Sequence, residues 1–238
     1  MKPILLIATN FLREQRWPLL VLVMWVVLSS AVSGLGADTV ATDDVLFFLK
    51  TQAIYGVAFV AFLSSAAIHN ERKSRRILGV LSKGIHRGQY IAGLLAGVLI
   101  ASVLYCAAMG VTGSLLFSEI GLPRSQLWAV LALLMTALLV TSTVAMFFST
   151  FLTPLFATAA TAVVLGTPAL ATRIAGGGWA HVFPVYHLMD SIMRFSVDTA
   201  GGWAPVWRMI GWAIVDSAVL WLLATWVFSR RDIAVAIE

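Results

Sequence analysis

The sequence predicts an all-α integral membrane protein: six transmembrane helices, an N-terminal interfacial amphipathic helix, and a polar segment between spans 2 and 3. Three observations carry this. Hydrophobic residues fill 60% of the 238 positions and charged residues only 11%, against about 25% charged in a soluble domain. The mean hydropathy is +0.93, so a water-soluble globule of this composition would lack the polar surface to cover itself. Six apolar segments reach the roughly 20 residues that a helix needs to cross about 30 Å of hydrocarbon. They do not alternate polar and apolar positions as barrel strands do, and a single helix satisfies its own backbone in lipid.

Residues 1–16 come first. Ile4, Ala8, Phe11 and Leu12 share helical spacing, and Arg13, Glu14 and Arg16 cluster before Trp17 and Pro18. This predicts a helix in the membrane interface and a turn into the first span. The spans are expected at about 17–36, 46–68, 89–117, 126–149, 154–172 and 208–228. AVSGLGA at 31–37 resembles a signal-peptidase site, but the segment is taken as a retained first span. Gly93 and Gly97 are small residues four apart and point to helix packing. Spans 4 and 5 are joined by a short uncharged turn around 150–154. The last long extramembrane segment, 173–207, holds five glycines, and its HLMDSIMRF run suits a short amphipathic helix. Trp179, Trp203, Trp207 and Trp212 would mark an interface there. Residues 1–238 read as one membrane domain.

Charge sets the expected orientation. The segment 69–90 carries Arg72, Lys73, Arg75, Arg76, Lys83 and Arg87 against Glu71 alone, an excess equal to the +5 of the whole chain. With both termini and this segment cytoplasmic, eleven of the sixteen lysines and arginines lie inside. Because the bases flank apolar spans, the membrane surface and not nucleic acid is the expected partner of a chain with pI near 9.8. Ile77, Leu81 and Ile85 recur every four residues within the basic segment. Such a helix either lies on anionic lipid or docks its apolar stripe in a groove of a cytoplasmic protein.

Asp216 sits inside the last span. A charge at mid-membrane costs about 3 kcal/mol on insertion scales, so it is either a contact on a transport path or a structural hydrogen bond. Thr136, Thr141, Ser142 and Thr143 in the fourth span either line a path or bond to backbone. Lys50, near the outer boundary, is expected to snorkel outward. His181, His187 and Asp190 do not make a convincing zinc set, and no metal site is expected. The lone cysteine, Cys106, permits no intrachain disulfide and reads as a small apolar residue. There is no phosphate loop, His-Glu-x2-His motif or Gly-x-Ser-x-Gly elbow, so the chain is not expected to be an enzyme. Gly166-Thr167-Pro168 is a candidate helix break of the kind found in ion-coupled transporters.

The basic segment resembles the coupling segment of the type-two family of ABC transporter permeases. Glu71 and Arg72 open it, and Leu81, Ser82, Ile85, Arg87, Tyr90 and Gly93 follow at the family's spacing, while Arg75, Gly84 and Leu94 depart from it. The chain also closes its last span with FSRRDI, residues 228–233, which is similar to a frequent ending in that family. The resemblance implies a permease subunit of an ATP-driven exporter in a bacterial inner membrane. It would bind no cofactor itself, with ATP and Mg held by a dimer of separate cytoplasmic ABC ATPase subunits. A second permease subunit, identical or related, would complete the path, beside membrane lipid. Coupling would then fall to Glu71, Arg72, Arg75, Arg76, Ile77, Leu78, Leu81, Ser82 and Arg87. Asp216, Thr141 and Thr143 would line the path. Short re-entrant helices between spans 5 and 6 would form an outer gate with Pro184, Tyr186 and Met189. The implied cargo is a lipid, hydrophobic drug, peptide or envelope precursor. The alternative is an ATP-independent, ion-coupled secondary transporter or a membrane scaffold.

Overall fold

The computed structural model describes residues 2–35, 42–73, 86–119, 124–175 and 204–230. These form seven helices: α1 (Lys2–Glu14), α2 (Arg16–Leu35), α3 (Thr42–Lys73), α4 (Arg87–Glu119), α5 (Arg124–Ser149), α6 (Pro154–Ala175) and α7 (Ala204–Arg230). Among the described residues there is no strand. The six apolar segments each coincide with one of α2 to α7. Four contain stretches long and apolar enough to cross a membrane on their own: Phe47–Glu71, Arg87–Ser118, Ser125–Ser149 and Trp207–Arg230. The protein is therefore an all-α, membrane-embedded bundle. The apolar stretches of α2 and α6, Arg16–Ala31 and Pro154–Gly166, are shorter.

Local chemistry explains the helix ends. The expected turn between the N-terminal helix and the first span is a bend at Gln15. Helical bonds run across it, from Gln15 N–H to the Phe11 carbonyl and from Leu19 N–H to the Gln15 carbonyl, each at 3.0 Å. Pro18 falls in the first turn of α2, where its missing N–H costs no helical bond. At the other expected turn, Leu152 N–H closes α5 on the Phe148 carbonyl at 2.9 Å, and Ala157 N–H opens α6 on the Thr153 carbonyl at 2.8 Å. Pro154 takes the first helical position there. The candidate break at Gly166-Thr167-Pro168 does not interrupt the helix: α6 runs continuously from Pro154 to Ala175. A proline inside a helix removes one bond, and neighbouring helices in a bundle tolerate that loss.

Helix α5 is the hub. It packs against α3, α4, α6 and α7 and is the most buried of the four membrane-length helices. Its Ser149 hydroxyl donates to the Ser65 carbonyl of α3 at 2.7 Å. Small residues set the spacing of α4 from its neighbours. A Cβ on Gly113 would lie 2.9 Å from Leu127 Cδ1, and one on Gly110 3.2 Å from Leu131 Cδ1, which runs α4 antiparallel to α5. On its other side α4 receives α1. A Cβ on Gly93 would lie 2.7 Å from Ile7 Cβ, and one on Gly97 2.7 Å from Phe11 Cδ1. The expected packing role of the two glycines is thus met, and the partner is α1, whose Ile7, Ala8 and Phe11 are buried while Leu5 and Leu6 stay exposed.

These contacts gather the ends of α3, α5 and α7, the starts of α4 and α6, and α1 at one end of the bundle, the end that flanks the basic segment. Helices α3 and α4, at 32 and 33 residues, are each about 50 Å long at 1.5 Å per residue, well beyond the roughly 30 Å of hydrocarbon.

Candidate functional site

Both margins of the basic segment are built into this end of the bundle. Glu71 lies in the last turns of α3 and is only 7% exposed. A buried carboxyl needs a polar neighbour, and Tyr90 of α4 lies beside it. Tyr90 is itself buried and stacks on Phe228 of α7, with ring centroids 6.4 Å apart and planes 13° from parallel. One turn earlier, Arg87 opens α4. Its Nη1 donates to the carbonyls of Phe228 at 3.2 Å and Ser229 at 2.8 Å. Those carbonyls belong to the last turn of α7, where no intrahelical donor remains, and the guanidinium sits at the negative end of the helix dipole. Gly88 lets the two helices close: a Cβ there would lie 3.0 Å from Thr225 Cγ2. Arg230, the final helical residue, folds back over Trp226 at 4.2 Å from the ring centroid.

Of the coupling residues expected from sequence, the structure thus brings Glu71 and Arg87 together around Tyr90 and the end of α7. Arg72 belongs to the last helical turn of α3. Arg75, Arg76, Ile77, Leu78, Leu81 and Ser82 lie outside the described residues, as do Pro184, Tyr186, Met189, His181, His187 and Asp190. Tyr90 and Phe228 were legible only as members of the two matched motifs; nothing in their spacing announced that they meet.

The expected path residues are separated by their hydrogen bonding. Thr143 is buried and bonds back to the Leu139 and Val140 carbonyls at 3.2 and 2.9 Å. Thr136 and Ser142 do the same, at 2.6 Å to Ala132 and 2.7 Å to Leu139. Thr141 is fully buried and its hydroxyl has no partner among the described residues. Asp216 is half-buried on α7, between a buried stripe that includes Ala213, Ser217 and Ala224 and an exposed apolar face of Trp212, Val215, Val219 and Leu222. The hydroxyl of Ser217 and the indole N–H of Trp221 next to it are also buried without a partner among the described residues. Sequence reasoning passed over a second polar knot. Gln52 Nε2 donates to Ser29 Oγ at 2.6 Å, and the Tyr105 hydroxyl donates to the Gln52 carbonyl. Together they tie α2, α3 and α4, and Gly56 leaves the slot that Tyr105 fills. A glutamine in an apolar run was the available signal.

Among the described residues no group of three or more His, Cys, Asp or Glu side chains could hold a metal ion. Chemically, the arrangement at the basic end can bind and transmit. No protein-family model and no curated protein matches this sequence.

Proposed function

We propose that this chain is the membrane-spanning permease subunit of an ATP-driven transporter of the ABC type, working with separate ATPase subunits and a second permease. The observation that carries the proposal is the basic segment itself. At its margins Glu71 is buried and Arg87 holds the Phe228 and Ser229 carbonyls of α7, and its sequence together with FSRRDI resembles the type-two permease pattern. A segment that merely set topology by charge would need no such anchoring. The four membrane-length helices, with α2 and α6 as two further spans, give the six that the reading requires. In this reading the basic end is cytoplasmic and the membrane is a bacterial inner membrane. Ile77, Leu78 and Leu81 enter a cleft of the ATPase, with Arg72, Arg75, Arg76 and Ser82 around them. The cargo is apolar or amphipathic and the direction is export.

The test is affinity purification of the tagged chain from its native membrane in mild detergent, with mass spectrometry and an ATPase assay. A stoichiometric ATPase subunit whose retention is lost in Leu81→Asp supports the reading. A clean chain with no ATPase bound and no hydrolysis overturns it. One observation favours a second reading: Asp216, half-buried in an apolar helix, is the kind of group an ion-coupled transporter uses. Ion-driven uptake by vesicles holding this chain alone would select that reading.

A further inference from the structure

We propose that the end of α7 carries a binding site for one anionic phospholipid, with the lipid phosphate on the Arg230 guanidinium and an acyl chain along the outer face of the helix. Arg230 closes α7 and is exposed. Its guanidinium carbon lies 4.2 Å from the centroid of the exposed Trp226 ring. A guanidinium held over an indole keeps its N–H fork clear of the ring, and that planar fork matches a phosphate. Among the described residues Arg230 makes no hydrogen bond or ion pair. An arginine in the last turn commonly bonds the orphan carbonyls of its own helix. Here Arg87 of α4 already holds the Phe228 and Ser229 carbonyls, at 3.2 and 2.8 Å. That contact has two effects. It leaves Arg230 to stack over Trp226. It also sets a positive charge on the negative end of the helix dipole, which would otherwise repel a phosphate. Arg87 is therefore a positioning residue for the site.

The rest of the helix says that the phosphate belongs to a lipid. From Trp226 toward the middle of α7, Leu222, Val219 and Val215 follow at three- and four-residue steps, and each is at least half exposed. Between Asp216 and Arg230 the helix has no charged residue. The stripe from Trp226 to Val215 is about 16 Å long at 1.5 Å per residue, close to the depth of one leaflet in a hydrocarbon core roughly 30 Å thick. Helix α7 is the least enclosed of the four membrane-length helices, so this stripe is open to acyl chains. Tryptophan favours the headgroup level, which places Trp226 where phosphate meets hydrocarbon. A free phosphate could use the guanidinium fork but none of the stripe. Charge complementarity selects an anionic lipid: Arg231 follows Arg230 in the chain, and the basic segment flanks the same end. The site does not depend on the transporter reading, because it needs only a membrane.

Native mass spectrometry of the full chain in detergent micelles tests the site. Phosphatidylglycerol is titrated against phosphatidylcholine of the same acyl chains, and the affinity for the first lipid bound is read. Wild type is expected to prefer phosphatidylglycerol by about tenfold. Arg230→Gln and Trp226→Leu should each lower the affinity for phosphatidylglycerol by about fivefold and leave that for phosphatidylcholine within about twofold. Arg13→Gln is the control: it removes the same charge from an exposed arginine of α1 and should change the affinity by less than about twofold. Equal losses in Arg13→Gln and Arg230→Gln would mean attraction to surface charge at large, and would overturn the site. So would a wild-type chain with no preference between the two lipids. Soluble glycerol phosphate should not displace the bound lipid; displacement would give the fork to free phosphate and overturn the lipid assignment. Arg87→Gln should lower the preference as Arg230→Gln does, and Arg87→Lys, which keeps a cation on the α7 carbonyls, should restore it. An Arg87→Gln chain with the wild-type preference counts against the positioning role of Arg87.

Discussion

Adding one methyl group at Gly97 should weaken the seat of α1 on α4, and the size of the effect follows from distances. The new Cβ would lie 2.7 Å from Phe11 Cδ1, 3.2 Å from Phe11 Cγ and 3.3 Å from the Ala8 carbonyl oxygen. Carbon atoms settle at about 3.5–4.0 Å, so α1 must retreat by about 1 Å or Phe11 must leave its rotamer. Forced overpacking of this kind costs about 1–3 kcal/mol. Alanine propagates a helix better than glycine by about 1 kcal/mol, leaving a net loss of about 1 kcal/mol for Gly97→Ala. Gly93→Ala meets Ile7 Cβ at 2.7 Å and the Ile4 carbonyl at 3.2 Å and should cost a similar amount. Because Ile7 and Phe11 ride on one rigid helix, a single outward shift relieves both clashes. The double variant should therefore lose less than the sum of the two, by about 1 kcal/mol. Two controls calibrate the scale. Gly166 and Gly211 have nothing within 4 Å of an added Cβ, so Gly166→Ala and Gly211→Ala should be neutral or slightly stabilising. The assay is reversible unfolding in mixed micelles, followed by the resistance of residues 2–14 to protease. Gly93→Ala and Gly97→Ala variants as stable as the two controls would refute the close approach of α1 and α4.

Further outcomes follow from single hydrogen bonds. Tyr105→Phe, which removes the donor to the Gln52 carbonyl, should cost about 1 kcal/mol in the same unfolding assay. Ser149→Ala, which breaks the bond to the Ser65 carbonyl of another helix, should cost about 0.6 kcal/mol. Ser142→Ala should cost less, since that hydroxyl bonds only to Leu139 of its own helix, and equal losses for the two serines would argue against the interhelical bond. Asp216→Asn should insert at least as well as the wild type, because it removes a charge that is costly in the middle of an apolar span. Any large fall in ATP-dependent or ion-dependent flux in that variant, measured in proteoliposomes, then assigns Asp216 to the path.

Much of this architecture was legible in the chain because a membrane removes choices. Long apolar runs must be helices, and α3 to α7 lie where hydropathy places them. The packing role of Gly93 and Gly97 was legible as well, since small residues four apart invite a close neighbour. The identity of that neighbour was not, because nothing local to Ile7 or Phe11 points to a helix more than eighty residues away. The candidate break at Gly166-Thr167-Pro168 was not decidable from sequence for a related reason. Glycine and proline at 166–168 weaken a helix in isolation, yet α6 continues through them. Glu71 and Arg87 read as partner-facing because charge in sequence suggests solvent. Only folding reveals that Glu71 is buried and that the end of α7 occupies Arg87.

The seat of α1 on α4 also sets a timetable for synthesis. Phe11 leaves the ribosome early, and its slot at Gly97 follows roughly 90 residues later, a delay on the order of ten seconds at ~5–20 residues per second. Through that interval the apolar face formed by Ile7, Ala8 and Phe11 lacks the α4 surface that later covers it. The membrane surface is the available shelter, and an amphipathic helix can rest there reversibly. Helix α1 thus has two successive environments, lipid first and α4 afterwards. Its affinity for the first must stay below its affinity for the second. The paired glycines raise the second without adding apolar surface that would strengthen the first. A more hydrophobic α1 would hold more strongly to the bilayer before it docks on α4.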